Sequence, residues 1–427
     1  MESPKEYLND LCQQIRWKKA HGPIRAELEA HITDTYHHYL NAGLPPEQAM
    51  SQAIKDTGDA TLLGSQLDAI HRPRPQWGMF GWVAGFLLLG LCISLFVFDH
   101  HHMAGRLFAM AIGTVAMMGA YFLDFTLLGK RPWVVCVSTG LVVWGLYHWH
   151  LPLFGMGGHT SQVFALLLPL AFAPVVFAAK GKGVLGLFFC LVAYGFLCVV
   201  ALLAPAISGF AHMAMIGWVL LLVAAFKNWF STHWVAKWAV ALAPIVGGVA
   251  FLLLVGNRFT IHRLHVALNP SLDPLGFGFV PLQIRHVLRV APLVGPMGPD
   301  MYFFGFSHWL ADSYFLSSIL YRYGWLAFLA ILGLVIFFTV KVIQKVMGQK
   351  SGLGFFVSLA VALTFMVQSL LFITLNMGLA VPYVSLPFIS PGNGSLVVNM
   401  LLAGFMLSVF RTGHGVQDAP AKPLANA

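Results

Sequence analysis

Between residues 256 and 400 the sequence offers only three carboxylates, Asp273, Asp300 and Asp312. A carboxylate can take a proton from a hydroxyl nucleophile, or hold a cation that acidifies it. Any general-base or metal-assisted step in this part of the chain must draw on that short list. The settings differ. Asp273 lies in Asn269-Pro-Ser-Leu-Asp-Pro-Leu-Gly, a run of turn formers, and is expected to shape a turn. Asp312 lies in Trp309-Leu-Ala-Asp-Ser-Tyr-Phe, immediately before an apolar run. There it is an ordinary helix N-cap by position, and one of the three acids open to general-base work. Arg258, Arg263, Arg285 and Arg289 share the segment, and their forked guanidinium groups suit phosphate, as in the headgroups around a membrane protein. His308, four residues before Asp312, would share its face of a helix and could share its proton. His100, His101 and His102 follow Asp99; consecutive side chains point apart, so they are read as an exposed tract and not as a metal site.

The elements that must position these residues are set by composition. The chain of 427 residues is 58% hydrophobic and 10% charged, with a mean hydropathy of +0.76. A soluble domain has roughly a quarter of its residues charged. An ordinary soluble enzyme and a nucleic-acid-coating chain are thereby excluded, despite a pI near 9.4. Residues 1–76 hold 10 of the 16 carboxylates, and no Glu occurs after Glu47. Two regions with two solvents follow.

A helix needs roughly 20 apolar residues to cross a hydrocarbon core of about 30 Å. Runs of that length fall near 78–98, 105–125, 132–150, 160–179, 183–204, 207–226, 234–255, 315–340, 354–377 and 393–410, which gives about ten spans. With a cytoplasmic N-terminus, the inside loops carry Lys130/Arg131, Lys180/Lys182, Lys227/Lys237, Lys341/Lys345/Lys350 and Arg411, and the short outside loops carry only Arg106. This orientation puts the long segment 256–314, between the seventh and eighth spans, on the outer face. Asp124 is expected at headgroup level beside Lys130 and Arg131. The first apolar run begins after residue 76, so the first span is expected to act as an internal signal anchor. The five cysteines, four of them inside spans and none in Cys-x-x-Cys, imply neither a disulfide framework nor a zinc site.

Residues 1–76 read as a small helical domain. Ile24, Leu28, Ile32, Tyr36 and Leu40 recur every four residues ahead of Gly43, and Pro45–Pro46 opens a second helix that closes at Gly58. This portion resembles the permease-prefix domain that precedes some bacterial membrane proteins, and a docking or regulatory role is expected of it.

Three separated stretches of the apolar body are similar to one family. They are Arg258 to Gln283, with Asn269-Pro and Asp273-Pro-Leu-Gly; Ala311-Asp312-Ser-Tyr-Phe315 followed by Tyr323-Gly-Trp; and Asn376-Met-Gly-Leu-Ala-Val-Pro382 followed by Leu386-Pro-Phe-Ile-Ser390-Pro-Gly-Asn-Gly-Ser395. In order and spacing they resemble the SEDS family (shape, elongation, division and sporulation) of RodA/FtsW type. The resemblance implies an all-α polytopic membrane protein over residues 77–412, preceded by the cytoplasmic domain 1–76 and followed by a flexible cytoplasmic tail, 413–427. It implies a peptidoglycan glycosyltransferase of the bacterial cytoplasmic membrane, with both termini cytoplasmic. Such an enzyme polymerises lipid II and releases undecaprenyl diphosphate beside a penicillin-binding transpeptidase. Asp312 becomes the catalytic residue, and Arg258, Arg263, Gln283, Ser390, Asn393 and Ser395 become substrate-binding residues. A divalent cation, Mg or Mn, is the cofactor that the resemblance leaves open. The sequence departs from the family pattern at Gln162 and Ala165, where an acid and a Lys are usual, at Pro205-Ala-Ile-Ser208, which lacks its acid, and at Ala311, where Thr is usual. A non-catalytic scaffold of a cell-wall complex and a lipid-precursor flippase are the alternative readings.

Overall fold

The computed structural model describes residues 3–73, 75–97, 103–149, 160–204, 206–230, 234, 237–243, 247, 258–298, 313–379, 383–390 and 392–413. The chain divides into two compact units, Met1–Gln76 with Phe410–Asp418, and Trp77–Val409 with Ala419–Ala427.

The first unit contains four helices, α1 (Pro4–Gln14), α2 (His21–Asn41), α3 (Pro46–Thr57) and α4 (Ala60–His71). Their ends are written into the sequence. Ser3 and Glu6 form a capping box ahead of α1, and Asp59 accepts from the Thr61 and Leu62 amides ahead of α4. Hydrogen bonds from the Thr61 hydroxyl and then from the Leu62 and Thr61 amides hold the Asp59 carboxyl below the usual carboxylate range. Gly43 and Gly58 end α2 and α3 at φ +91° and +101°, which a residue without Cβ adopts at no steric cost. Ile24 and Ile32 are buried with Leu11 and Ala53, and Leu28 and Tyr36 pack against them, as the four-residue recurrence requires.

Among the described residues of the second unit, eight helices are long and apolar enough to cross a membrane. Two are α5 (Trp77–Val97) and α6 (Met103–Phe122). A third, Thr160–Ala178, is interrupted by a 3-10 turn at Ala165–Leu167. The rest include α11 (Gly183–Leu203) and α12 (Ile207–Phe226) before the long segment, and α16 (Trp325–Met347), α17 (Gly352–Asn376) and α18 (Asn393–Thr412) after it. Between the second and third of these spans lie the short α7 (Thr126–Lys130) and the apolar, 17-residue α8 (Pro132–His148). The interrupted span supplies α9 (Thr160–Phe164) and α10 (Leu168–Ala178). The run 234–255 falls largely outside the described residues. In lipid only a helix satisfies its own backbone, so this all-helical unit is a multi-pass membrane protein. Asp124 accepts from the Thr126 amide at 3.1 Å and from its hydroxyl, which sets the turn into α7.

Close approach depends on small residues. A Cβ at Gly404 of α18 would collide with the Met117 carbonyl of α6 and lie 2.8 Å from Ala120 Cβ. α17 sits at the centre against α10, α12 and α16. Its Gln368 and the Asn399 of α18, both fully buried, exchange hydrogen bonds of 3.0 and 3.2 Å.

The long segment contributes α13 (Arg258–Leu268) and α14 (Phe279–Val290). The run 315–340, read from sequence as one span, is two helices. α15 (Phe315–Tyr323) stops at Gly324, and the membrane helix α16 starts at Trp325. Gly324 has φ +82°, and a Cβ there would lie 2.6 Å from the Pro292 carbonyl and 2.9 Å from that of Leu293. Those two carbonyls accept from the Trp325 and Leu326 amides at 3.1 and 3.0 Å, so the long segment is stitched onto the break.

Gly324→Ala combines a left-handed φ with that collision and is expected to cost more than about 1 kcal/mol. Gly333→Ala, in α16 with open space around its Cα, is expected to be neutral or slightly stabilising. Thermal midpoints of the two purified variants check this, and equal midpoints would refute it.

Candidate active site

Two seams of hydrogen bonds hold the stretches that carry candidate residues. The first joins the long segment to the end of α17. Asn376, its last residue, is fully buried. Its Oδ1 accepts from the Ser317 amide and hydroxyl, both at 2.9 Å, and its Nδ2 donates to the Ser313 and Phe372 carbonyls at 3.0 and 2.9 Å. Both donors and both acceptor positions of the amide are therefore filled. Ser313 directly follows Asp312, so this one side chain fixes the chain next to the candidate base. Beside it, Arg285 Nε of α14 donates to the Gly378 carbonyl at 3.0 Å. Gly378 has φ +78°, and a Cβ there would lie 2.7 Å from Arg285 Cγ. Burial raises the Tyr314 hydroxyl above the ordinary tyrosine range.

The second seam joins α6 to the stretch ahead of α18. Arg106, 2% exposed, donates from Nη1 to the Ser390 carbonyl and from Nη2 to the Ile389 carbonyl, each at 3.1 Å. The sequence reading placed Arg106 in an outside loop; it is instead the fourth residue of α6, inside the protein. Gly105 leaves room for the Asn393 side chain at the start of α18, whose Nδ2 would be 2.9 Å from a Cβ at that position. Ser395 Oγ donates to the Gly392 carbonyl at 3.0 Å.

The remaining candidates separate. Arg263 is exposed and lies over the Phe277 ring, 4.6 Å from its centroid. Gln283 is half-buried on α14, and Arg289 is exposed near its end. Asp273 accepts from the Gly276 and Phe277 amides, both at 3.0 Å, with His262 Nε2 3.9 Å away, and so shapes the turn that its sequence setting predicts. Asp312, Asp300, His308, the His100–His102 tract and the side chain of Arg258 lie outside the described residues.

No family model matches the chain. A curated relative, the probable peptidoglycan glycosyltransferase FtsW of Trichlorobacter lovleyi, is 23% identical over 173 residues, 39% of this chain and 44% of that protein. The matched segment thus spans less than half of the relative. Among solved structures, the rod shape determining protein RodA of Thermus thermophilus superposes with a TM-score of 0.57 at 15% identity, covering 81% of this chain and 98% of that one. A chain from a structure described as the coordination of polymerization and crosslinking by a peptidoglycan synthase complex superposes with a TM-score of 0.62 at 18% identity, covering 79% and 98%. The chain has the fold of RodA. The resemblance to the SEDS family stands in sequence and in architecture.

Within this RodA fold, the serine beside the departed Gln162, at the start of the third span, has a structural partner. Ser161 Oγ, 2% exposed, donates to the Ala204 carbonyl at 3.1 Å. Gln162, which stands where the family has an acid, is half-buried. The buried amide that sequence reasoning passed over is Asn376, which it read only as part of a motif. The base it misplaced is Arg106. The signal for both was the same, a strong hydrogen-bonding group inside an apolar helix.

Asn376→Ala removes every partner it gives to Ser317 N and Ser313 O, and an orphaned buried group costs about 1–3 kcal/mol. Its thermal midpoint is expected to fall further than that of Ser317→Ala. A double-mutant cycle of the two is expected to show a coupling of about 0.5–3 kcal/mol; strict additivity would show that they do not act as a unit.

Proposed function

We propose that the chain is a peptidoglycan glycosyltransferase that polymerises lipid II on the outer face of the cytoplasmic membrane and releases undecaprenyl diphosphate. The observation that supports this most is the Asn376 network, which ties the residues following Asp312 to the end of the central helix within a RodA fold. In this reading Asp312 takes the proton of the acceptor 4-hydroxyl. The hydroxyl oxygen then forms a bond to the anomeric carbon of the donor, and the bond from that carbon to the phosphate oxygen breaks with its electron pair leaving on the diphosphate. Arg258 and Arg263 stand on the acid-poor segment to offset the charge of that leaving group, and Gln283, Ser390, Asn393 and Ser395 serve substrate binding. A divalent cation, Mg or Mn, would be held beside Asp312, where it would help to acidify the acceptor hydroxyl and to offset the charge of the diphosphate.

In the same proposal residues 1–76 are a cytoplasmic docking module, 77–412 the catalytic membrane body and 413–427 a cytoplasmic tail. Both termini face the cytoplasm, as the Lys and Arg distribution favours. A penicillin-binding transpeptidase supplies the crosslinking step.

Purified full-length protein given fluorescent lipid II is expected to form glycan polymer. Asp312→Asn, nearly isosteric, is expected to lower the rate by about 100-fold or more with an unchanged thermal midpoint, because a positioned base contributes at least that much. Normal polymer from the variant would refute the site; no polymer from the wild-type chain would refute the function.

A further inference from the structure

The stretch ahead of α18 holds a backbone conformation that phenylalanine adopts only under constraint. Phe388 has φ +64°, and the Ile389 amide donates to the Pro387 carbonyl at 2.8 Å. A hydrogen bond between residues two apart around a positive φ defines the rarer, strained γ-turn. Phe388 is 1% exposed, and its ring packs edge-on against Phe365 and Phe338, with centroids 5.2 and 6.2 Å away. Strain of this kind persists only where the surroundings over-determine it.

The over-determining group is Arg106. Its two terminal nitrogens reach the carbonyls of the two residues that leave the turn, Ile389 and Ser390. Space for this is cut into the neighbouring helix α5. A Cβ at Gly90 would collide with Arg106 Nη2 and lie 2.7 Å from the Ile389 oxygen. The clamp is therefore a three-part fit of α5, α6 and the turn. The clamp ends at Ser390, three residues before the start of α18 at Asn393, and Gly105, beside Arg106, receives the Asn393 side chain.

We propose that Arg106 is a positioning residue for substrate, acting through the strained turn. By gripping the Ile389 and Ser390 carbonyls it fixes Ser390, Asn393 and Ser395 relative to α5 and α6, so that they meet a lipid-linked sugar in one geometry. The role rests on the glycosyltransferase reading above. Lysine cannot take it over, because a single ammonium nitrogen lacks the planar fork that spans two carbonyls.

The test uses the full-length chain in lipid nanodiscs, as wild type, Arg106→Lys, Arg106→Gln and Gly90→Ala. Two readouts are taken, hydrogen exchange of peptides covering 383–395 and the KM and kcat for lipid II. Arg106→Lys is expected to speed exchange in that segment and to raise KM by about tenfold with a smaller change in kcat, because charged hydrogen bonds are lost. Gly90→Ala keeps the guanidinium but occupies its space, and is expected to act in the same direction. Faster exchange with a wild-type KM would reduce the clamp to a structural role and overturn the proposal. Native exchange in all three variants would show that no clamp exists. A wild-type chain without polymerase activity would refute the glycosyltransferase reading instead, and the exchange comparison would then decide the clamp by itself.

Discussion

Inside hydrocarbon a polar group has no water to turn to, so each must find its partner in the protein. The second unit is organised by that demand. Along α17, Ser358, Thr364 and Ser369 return their hydroxyls to the carbonyl four residues back, which satisfies them within the helix. Gln368 and Asn376 carry more donors and acceptors than that solution fills, so they also reach outward, Asn376 while donating to the Phe372 carbonyl four residues back. Gln368 finds Asn399, and Asn376 finds the chain beyond Asp312. Arg106 does the same with the Ile389 and Ser390 carbonyls. The groups that lipid cannot satisfy are thus the ones that connect one helix or turn to the next.

Those connections fix the irregular backbone around the candidate site. A γ-turn and a left-handed glycine leave backbone groups outside any helix ladder, and such groups survive at membrane depth only when buried in protein. Gly378 and Gly90 supply the room that the Arg285 and Arg106 side chains need, and Gly324 the room for the Pro292 and Leu293 carbonyls. Shape and hydrogen bonding therefore act together. Rigid placement of this kind suits an enzyme whose proposed chemistry is one proton transfer beside an anionic leaving group, because orientation and fixed dipoles then carry most of the effect.

Much of the architecture was legible in the sequence. The apolar runs marked helices long enough to cross a membrane, and Gly43, Gly58 and Pro46 marked helix ends in residues 1–76, because composition and local φ preference are properties of short segments. The turn at Asp273 was legible for the same reason. The run 315–340 was misjudged. Its hydropathy is continuous across Gly324, and the break comes from carbonyls of Pro292 and Leu293, about thirty residues upstream. Arg106 was misjudged because a lone base near a run's edge reads as a loop residue, and only the partner carbonyls some 280 residues away make a buried position tenable.

The sequence by itself determined the solvent of each region, the helical class and the scarcity of acids that singles out Asp273, Asp300 and Asp312, since these depend on residue type and near neighbours. Tertiary structure decided which polar side chains became clamps. Asn376, Arg106 and Phe388 owe their roles to partners remote in sequence, and in a medium without water the identity of that partner is what decides whether a buried polar group is a cost or a hinge of the site.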